Sequence, residues 1–275
     1  MTATPTHQSP KSAPIPLWSG TRPSPPARLT ASVTFLTRGL IKLRRVPEQA
    51  ADAVLIPVIF TVLFTYLFGG AIAGSTGRYL HFLLPGTLVM TVLLVTVYAG
   101  IGLNMDKARG VSDRFRSLAL WRPAHVAGAL LTEAVRALVA SAIVIALGLI
   151  MGFRPDGGIT GVLSAIAIVV VFGVSLAWIW AAIGLVLRTA AAVSTLSFLV
   201  QFPLTMASNV FVEPKTMPSW LHAFVDVNPV SLLATTVRHL MAGTATGAEV
   251  TGILLASAAI TAVFAPLTMR IYRAT

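Results

Sequence analysis

The chain has 275 residues, of which 56% are hydrophobic and 11% are charged, with a formal net charge of +11. Soluble domains hold about 25% charged residues, so this composition excludes a single soluble core and predicts an integral membrane protein. Cysteine is absent, which excludes disulfides and thiolate metal sites. We attribute the positive charge to cytoplasmic Lys and Arg, so no nucleic-acid partner is expected.

The N-terminal segment, residues 1–27, is rich in Pro, Ser and Thr. Such a segment buries too little apolar surface to order itself, which predicts a disordered cytoplasmic tail. It also lacks the short apolar core of a signal peptide.

Residues 28–48 predict an amphipathic helix that lies in the membrane interface among lipids and ends near Pro47. This helix either anchors the N-terminus or also meets a cytoplasmic partner, and its pattern leaves both open. Its apolar face holds Leu29, Val33, Leu36, Leu40 and Leu43, and its basic face holds Arg38, Lys42 and Arg45.

Six stretches are apolar enough to cross a bilayer, since a crossing helix needs about 20 mainly apolar residues. They define an all-α membrane domain over residues 53–273, and "RPDGG" at 154–158 predicts a tight hairpin between the third and fourth. The predicted spans are residues 53–73, 82–105, 124–153, 159–187, 189–211 and 250–269.

The distribution of Lys and Arg predicts the orientation. If the N-terminus is cytoplasmic, fifteen of these residues lie in inside segments and four lie in outside segments. Both termini and the loop between spans two and three are therefore predicted to be cytoplasmic, in a multi-pass plasma membrane protein.

The loop between spans two and three contains a second amphipathic pattern. Pro123 separates it from span three. A short helix of this kind lies on lipid headgroups or docks into a partner's groove, and periodicity does not decide between them. The apolar stripe is Ala108, Val111, Phe115 and Leu118, and the polar stripe is Arg109, Asp113 and Arg116.

The long segment 212–249 on the predicted outer side contains short helices. Asn228 suits an N-cap, Pro229 the first helical position and Gly243 a C-terminal stop. Another short helix is predicted over residues 218–225. These pieces are too short to cross, so they dip into the outer leaflet or cover the spans.

The sequence contains no phosphate-binding loop, no nucleophile elbow and no histidine pair at metal-ligand spacing. We therefore predict a chain that is not an enzyme and binds no cofactor or metal. Glu133 and Arg136 share one face of span three, as a mutual ion pair or as part of a conformational switch. Gln201 and Asn209 make interhelical hydrogen bonds or contact a substrate.

This arrangement resembles the type-2 permease subunits of ATP-binding cassette (ABC) exporters, especially the daunorubicin-resistance branch. The resemblance covers residues 29–273 and rests on two motifs. In the loop, the matching residues are Asp106, Gly110, Arg114, Phe115, Leu118, Pro123 and Gly128. In the outer segment they are Pro218, Trp220, Leu221, Asn228, Pro229, Val230, Ser231 and Arg238.

The resemblance implies an exporter of hydrophobic or amphipathic drugs, antibiotics or lipids. Two copies of a separate subunit would bind ATP and Mg and receive the loop helix as a coupling helix. Asp113 and Arg116 belong to that helix together with Arg109. A second permease, identical or related, would complete a path built mainly from spans one, two and five. The alternatives are a glycan exporter of the same class and an ion-coupled secondary transporter.

Overall fold

The computed structural model describes residues 28–45, 47–110, 123–213 and 217–274. Within these residues every regular element is an α-helix, as predicted. The predicted tail over residues 1–27 lies outside them. The helices are α1 (Arg28–Arg45), α2 (Pro47–Ala73), α3 (Thr76–Ala108), α4 (Ala124–Ile150), α5 (Gly158–Val186), α6 (Ala190–Met206), α7 (Ser219–Val227), α8 (Pro229–Ala242) and α9 (Gly247–Ala274).

Helix α3 lies at the centre of the bundle and packs against α2, α4, α5, α6 and α8. Its side chains are buried along most of its length, from Tyr79 to Asn104. A helix surrounded by other helices is apolar on all sides, which explains why this segment has no polar face. Leu83, Leu84 and Val89 are completely buried in the main core.

Helices α3 and α5 are in backbone contact where Gly100 meets Gly184. A Cβ atom on Gly100 would collide with the carbonyl oxygen of Trp180, and one on Gly184 would collide with the carbonyl oxygen of Gly100. Small residues permit such close crossings between membrane helices. The position of α3 relative to α5 therefore depends on both glycines.

The outer surface of the bundle is apolar, as expected of a protein surrounded by lipid. Leu67 on α2, Leu199 on α6 and Leu255 on α9 are 63%, 67% and 65% exposed. Soluble monomers rarely expose large contiguous apolar patches. The surface confirms the prediction of an integral membrane protein.

Five of the six predicted spans are helices long and apolar enough to cross a membrane: α2 from Leu55, α3, α4, α5 and α9. The fifth predicted span, residues 189–211, is shorter than expected. Helix α6 ends at Met206 after 17 residues, which corresponds to about 25 Å. Pro203 lies within it and removes one backbone donor, and Asn228 binds carbonyls at its end.

The second predicted span begins earlier than its hydropathy indicates. Helix α3 starts at Thr76 because the hydroxyl of Ser75 accepts a hydrogen bond from the backbone N–H of Arg78 at 3.2 Å. This N-cap adds a turn and a half before the apolar run at residue 82. The remaining helix ends differ from their predicted positions by a few residues.

The described chain begins and ends at the same end of the bundle. Helix α1, the start of α4 and Tyr272 near the end of α9 meet there, and we call it the loop end because it carries the connection 109–123. The turn between α4 and α5 lies at the opposite end with α8, where the Gly157 N–H donates to the carbonyl of Met241 at 2.8 Å. We call this the hairpin end.

Candidate functional site

The coupling loop predicted from the sequence leaves α3 at a well-defined stop. The Arg109 N–H donates to the carbonyl of Met105 at 3.1 Å, and Gly110 has φ 66°. This left-handed conformation is easily adopted by glycine, so Gly110 ends the helix. The chain is described again from Pro123, whose carbonyl accepts the Ala127 N–H at 2.9 Å.

Most of the predicted coupling helix lies in residues 111–122, which are outside the described part of the chain. Its amphipathic helix and its contact with an ATP-binding subunit stay predictions. The predicted residues that fall there are Asp113, Arg114, Phe115, Arg116 and Leu118.

Asp106, in the last turns of α3, is the centre of a polar cluster that joins four helices. Its Oδ2 atom lies 3.0 Å from Nε2 of His125 on α4 and 3.4 Å from Nη1 of Arg38 on α1. Nδ1 of His125 lies 3.4 Å from the hydroxyl of Tyr272 on α9. The ring of Phe35 lies 5.5 Å from the His125 ring. The base of the loop is thus tied to both ends of the described chain.

A second set of bonds ties the base of the loop to the end of α5. The Lys107 ammonium donates to the carbonyl of Leu185 at 2.7 Å. The Asn104 amide donates to the carbonyls of Gly184 and Leu187 at 2.9 and 2.7 Å. These oxygens include the last carbonyls of a helix, which lack partners within it. A cation there is also favoured by the helix dipole.

The amphipathic helix α1 packs directly on α4. Cβ atoms on Gly39 and Gly128 would collide with Thr132 and Phe35 respectively. Arg38, on the predicted basic face, is 42% exposed and reaches Asp106. Lys42 and Arg45 lie in the same helix, and their side chains fall outside the described part of the structure.

The Glu133–Arg136 pair lies within α4, about three turns from the start of that helix at the loop end. Oε2 of Glu133 is 3.2 Å from Nη1 of Arg136, and the side chains are 6% and 10% exposed. The Arg136 guanidinium also lies 4.7 Å from the centre of the Tyr98 ring on α3. The two charges therefore form an ion pair, and their role in a conformational switch stays a prediction.

The outer motif is built around Asn228 at the hairpin end. Its Oδ1 atom accepts the Val230 N–H at 2.9 Å, so Asn228 caps α8 with Pro229 in the first position. Its amide donates to the carbonyls of Leu204 and Ala207 at 2.8 Å each. One side chain thus starts α8 and closes the end of α6.

Arg238 holds the outer segment against α3. Its Nε and Nη2 atoms donate to the carbonyls of Phe82 and Asn209, both at 3.1 Å, and it lies over the Phe82 ring. Burial lowers the pKa of Arg238 to about 10, and Glu213 partly offsets this effect. Arg238 is therefore charged at neutral pH.

The other two residues of the predicted outer motif are Pro218 and Trp220, which lie at the start of α7. Pro218 precedes α7, and Trp220 in its first turn is 73% exposed. Gln201 on α6 makes an interhelical hydrogen bond to the carbonyl of Leu93 on α3 at 3.0 Å, and Asn209, in the turn after α6, donates to the Thr235 hydroxyl on α8 at 2.7 Å. Substrate contact by either side chain stays a prediction.

Replacing Asn228 tests its double attachment. Asn228→Ala is expected to destabilise the protein by about 2–3 kcal/mol, because it removes an N-cap and leaves two carbonyls of α6 without their donor. Asn228→Ser keeps a hydroxyl acceptor for the cap and loses the amide donor, so its effect is expected to be about half as large. Thermal unfolding in detergent measures both, and equal stability of the Ala and Ser variants would contradict the double role.

The fold is that of a multi-pass membrane protein, and comparison with known proteins gives its family. Residues 30–242 match the ABC-2 type transporter family model. The chain belongs to this family.

Two relatives extend this result across nearly the whole chain. The daunorubicin resistance ABC transporter permease protein DrrB1 of Streptomyces coeruleorubidus is 49% identical over 257 residues, covering 94% of this chain and 91% of the relative. The probable doxorubicin resistance ABC transporter permease protein DrrC of Mycobacterium tuberculosis is 25% identical over 252 residues, covering 90% of this chain and 91% of the relative.

Proposed function

We propose that this chain is the permease subunit of an ABC exporter that moves hydrophobic or amphipathic drugs out of the cell. The observation that carries the proposal is the 49% identity to a daunorubicin resistance permease along 94% of the chain. Members of this family are transport components, and nucleotide binding belongs to a partner ATPase. ATP and Mg are therefore assigned to the partner.

We place the loop end in the cytoplasm, with six crossings by α2–α6 and α9. Helix α6 supports this count because it runs from one end of the bundle to the other. Its start at Thr189 follows Leu187 at the loop end. Asn209, just after its last residue, contacts Thr235 at the hairpin end. Both ends of the described chain lie at the loop end, as an even number of crossings requires. The excess of Lys and Arg gives the direction.

The anchored base of the loop supports its role as the contact with the ATPase. Asp106 and His125 connect the two sides of the loop, and Lys107 fixes one side to α5. A motion imposed on residues 111–122 by two approaching ATPase subunits would therefore reach α3, α4 and α5 together. Contiguous packed elements of this kind are what coupling between distant sites requires.

Exposed faces of α2 and α6 support a second permease as partner. Both helices pack against the central α3 and leave aromatic side chains outside, including stacked Phe198 and Phe202 with ring centres 5.1 Å apart. We assign these faces to the path between two permeases, identical or related, with lipid around the remaining surface. Aromatic and aliphatic walls suit planar, amphipathic drugs.

Simultaneous replacement of Arg114, Phe115 and Arg116 by Ala tests this function. Membrane insertion is expected to be intact, while ATP-dependent efflux falls at least about tenfold because the partner contact is lost. Efflux of a fluorescent anthracycline from inverted vesicles and co-purification with the ATPase give the two readouts. The exposed Arg270, at the same end but outside the loop, provides the control Arg270→Ala. Undiminished efflux by the triple variant would refute the role of the loop.

A further inference from the structure

A partly open chamber with a polar wall lies between α1, α3 and α4, toward the loop end of the bundle. Its volume is about 80 Å³. A single water needs about 10–15 Å³ measured in this way, so the chamber holds several waters or one larger polar group. Its polar wall consists of Arg38, Asp106, His125, Thr132, Glu133 and Arg136.

Arg136 is the feature of this chamber that requires a ligand. The residue is 8% exposed, and its Nε and Nη1 atoms make no hydrogen bond to any part of the chain that the structure describes. Its ion pair with Glu133 and its position over Tyr98 supply charge compensation without satisfying these donors. Buried arginine donors without acceptors are costly, so an acceptor in the chamber would stabilise the site.

The chemistry of the wall selects an oxyanion. Asp106 lies within ion-pair distance of Arg38 and His125, and Glu133 of Arg136, so the charges of both carboxylates are compensated. The unsatisfied donors belong to a guanidinium, whose fork geometry matches phosphate oxygens. The Thr132 hydroxyl donates to the Gly128 carbonyl at 2.8 Å, so its proton is already used.

The position of the chamber indicates where the oxyanion comes from. Arg38 contributes to its wall from α1 and is 42% exposed. Helix α1 is amphipathic, and such helices lie at the level of lipid headgroups. We infer that the chamber binds the phosphate of a phospholipid headgroup, held by Arg136 and flanked by Arg38. Lipid binding here requires neither the proposed drug nor the ATPase, and the chamber shares Arg38, Asp106 and His125 with the cluster at the base of the loop.

Lipid binding by the purified full-length chain tests the inference. Native mass spectrometry after delipidation in a maltoside detergent measures binding of phosphatidylethanolamine, with diacylglycerol as a probe that lacks phosphate. We expect saturable binding of one phosphatidylethanolamine and none of diacylglycerol. Arg136→Gln is expected to weaken binding about tenfold, whereas Arg270→Gln, which removes an exposed arginine at the same end, keeps it.

A second variant separates lost binding from lost folding. Arg136→Gln leaves Glu133 without its ion-pair partner, so Glu133→Gln/Arg136→Gln removes both charges together. Thermal unfolding in inorganic phosphate, without lipid, distinguishes a phospholipid headgroup from free phosphate as the source of the oxyanion. If phosphate stabilises the wild type but neither Arg136 variant, the chamber is an oxyanion site and its ligand is free phosphate. Equal lipid binding by wild type and both variants, or equal binding of diacylglycerol, would overturn the inference.

Discussion

Asp106→Ala is expected to reduce ATP-dependent efflux at least about tenfold while leaving the chain in the membrane. The substitution removes the carboxylate that joins α3 to His125 on α4 and to Arg38 on α1. It leaves His125, whose side chain is 6% exposed, without this partner, at a cost of about 2 kcal/mol. Efflux from inverted vesicles and thermal unfolding in detergent measure the two effects.

The chain offers a matched control for this substitution. Asp226 also contacts a histidine, with Oδ2 3.1 Å from Nδ1 of His222, but these side chains are 60% and 42% exposed at the surface of α7. Asp226→Ala is expected to change stability by less than about 1 kcal/mol, since exposed pairs are worth little. Similar losses in both variants, or full efflux by Asp106→Ala, would show that the cluster does not position the loop.

Gly100→Ala is expected to destabilise the bundle by about 1–3 kcal/mol or more. The added methyl group would occupy the position where the backbone of α5 passes at Trp180, so α3 and α5 would have to separate. The bonds from Asn104 to the end of α5 lie one turn further along and would lengthen with that movement. Thermal unfolding of the purified chain gives the stability, and efflux reports the consequence for the loop.

Gly102→Ala is the control on the same helix. A Cβ atom there meets nothing within 4 Å, so the change adds helix propensity without a collision. Its effect is expected to lie between neutral and about 1 kcal/mol of stabilisation. If both alanine variants unfold at the same temperature, the close contact with α5 does not limit stability.

Several parts of the fold could be predicted because they depend on neighbours in the sequence. The apolar runs predict the crossing helices, and Asn228, Pro229 and Gly243 predict the bounds of α8. The end of α6 could not be predicted in this way, because Asn228 reaches Leu204 and Ala207 from a distant part of the chain. The cap at Ser75 is a local signal that hydropathy does not contain.

The candidate site was predictable in part. The sequence indicates Asp106, Arg109 and Gly110 as the base of a loop and places Glu133 beside Arg136, because these relations are local. It gives His125 and Tyr272 no role, since 147 positions separate them and only the return of α9 to the loop end brings them together. His125 lies two residues after Pro123, at the start of a span. This position at a helix end is the local signal that could have indicated a role for it.

The sequence by itself determined the class of protein and the all-helical membrane fold, because hydrophobicity acts on each segment separately, while the orientation that it indicates stays a prediction. Only the tertiary structure decided the glycine contacts between helices, the Asp106 cluster and the chamber at Arg136. These features arise where segments far apart in the chain meet. Their energies depend on distances and burial, which no local pattern of residues specifies.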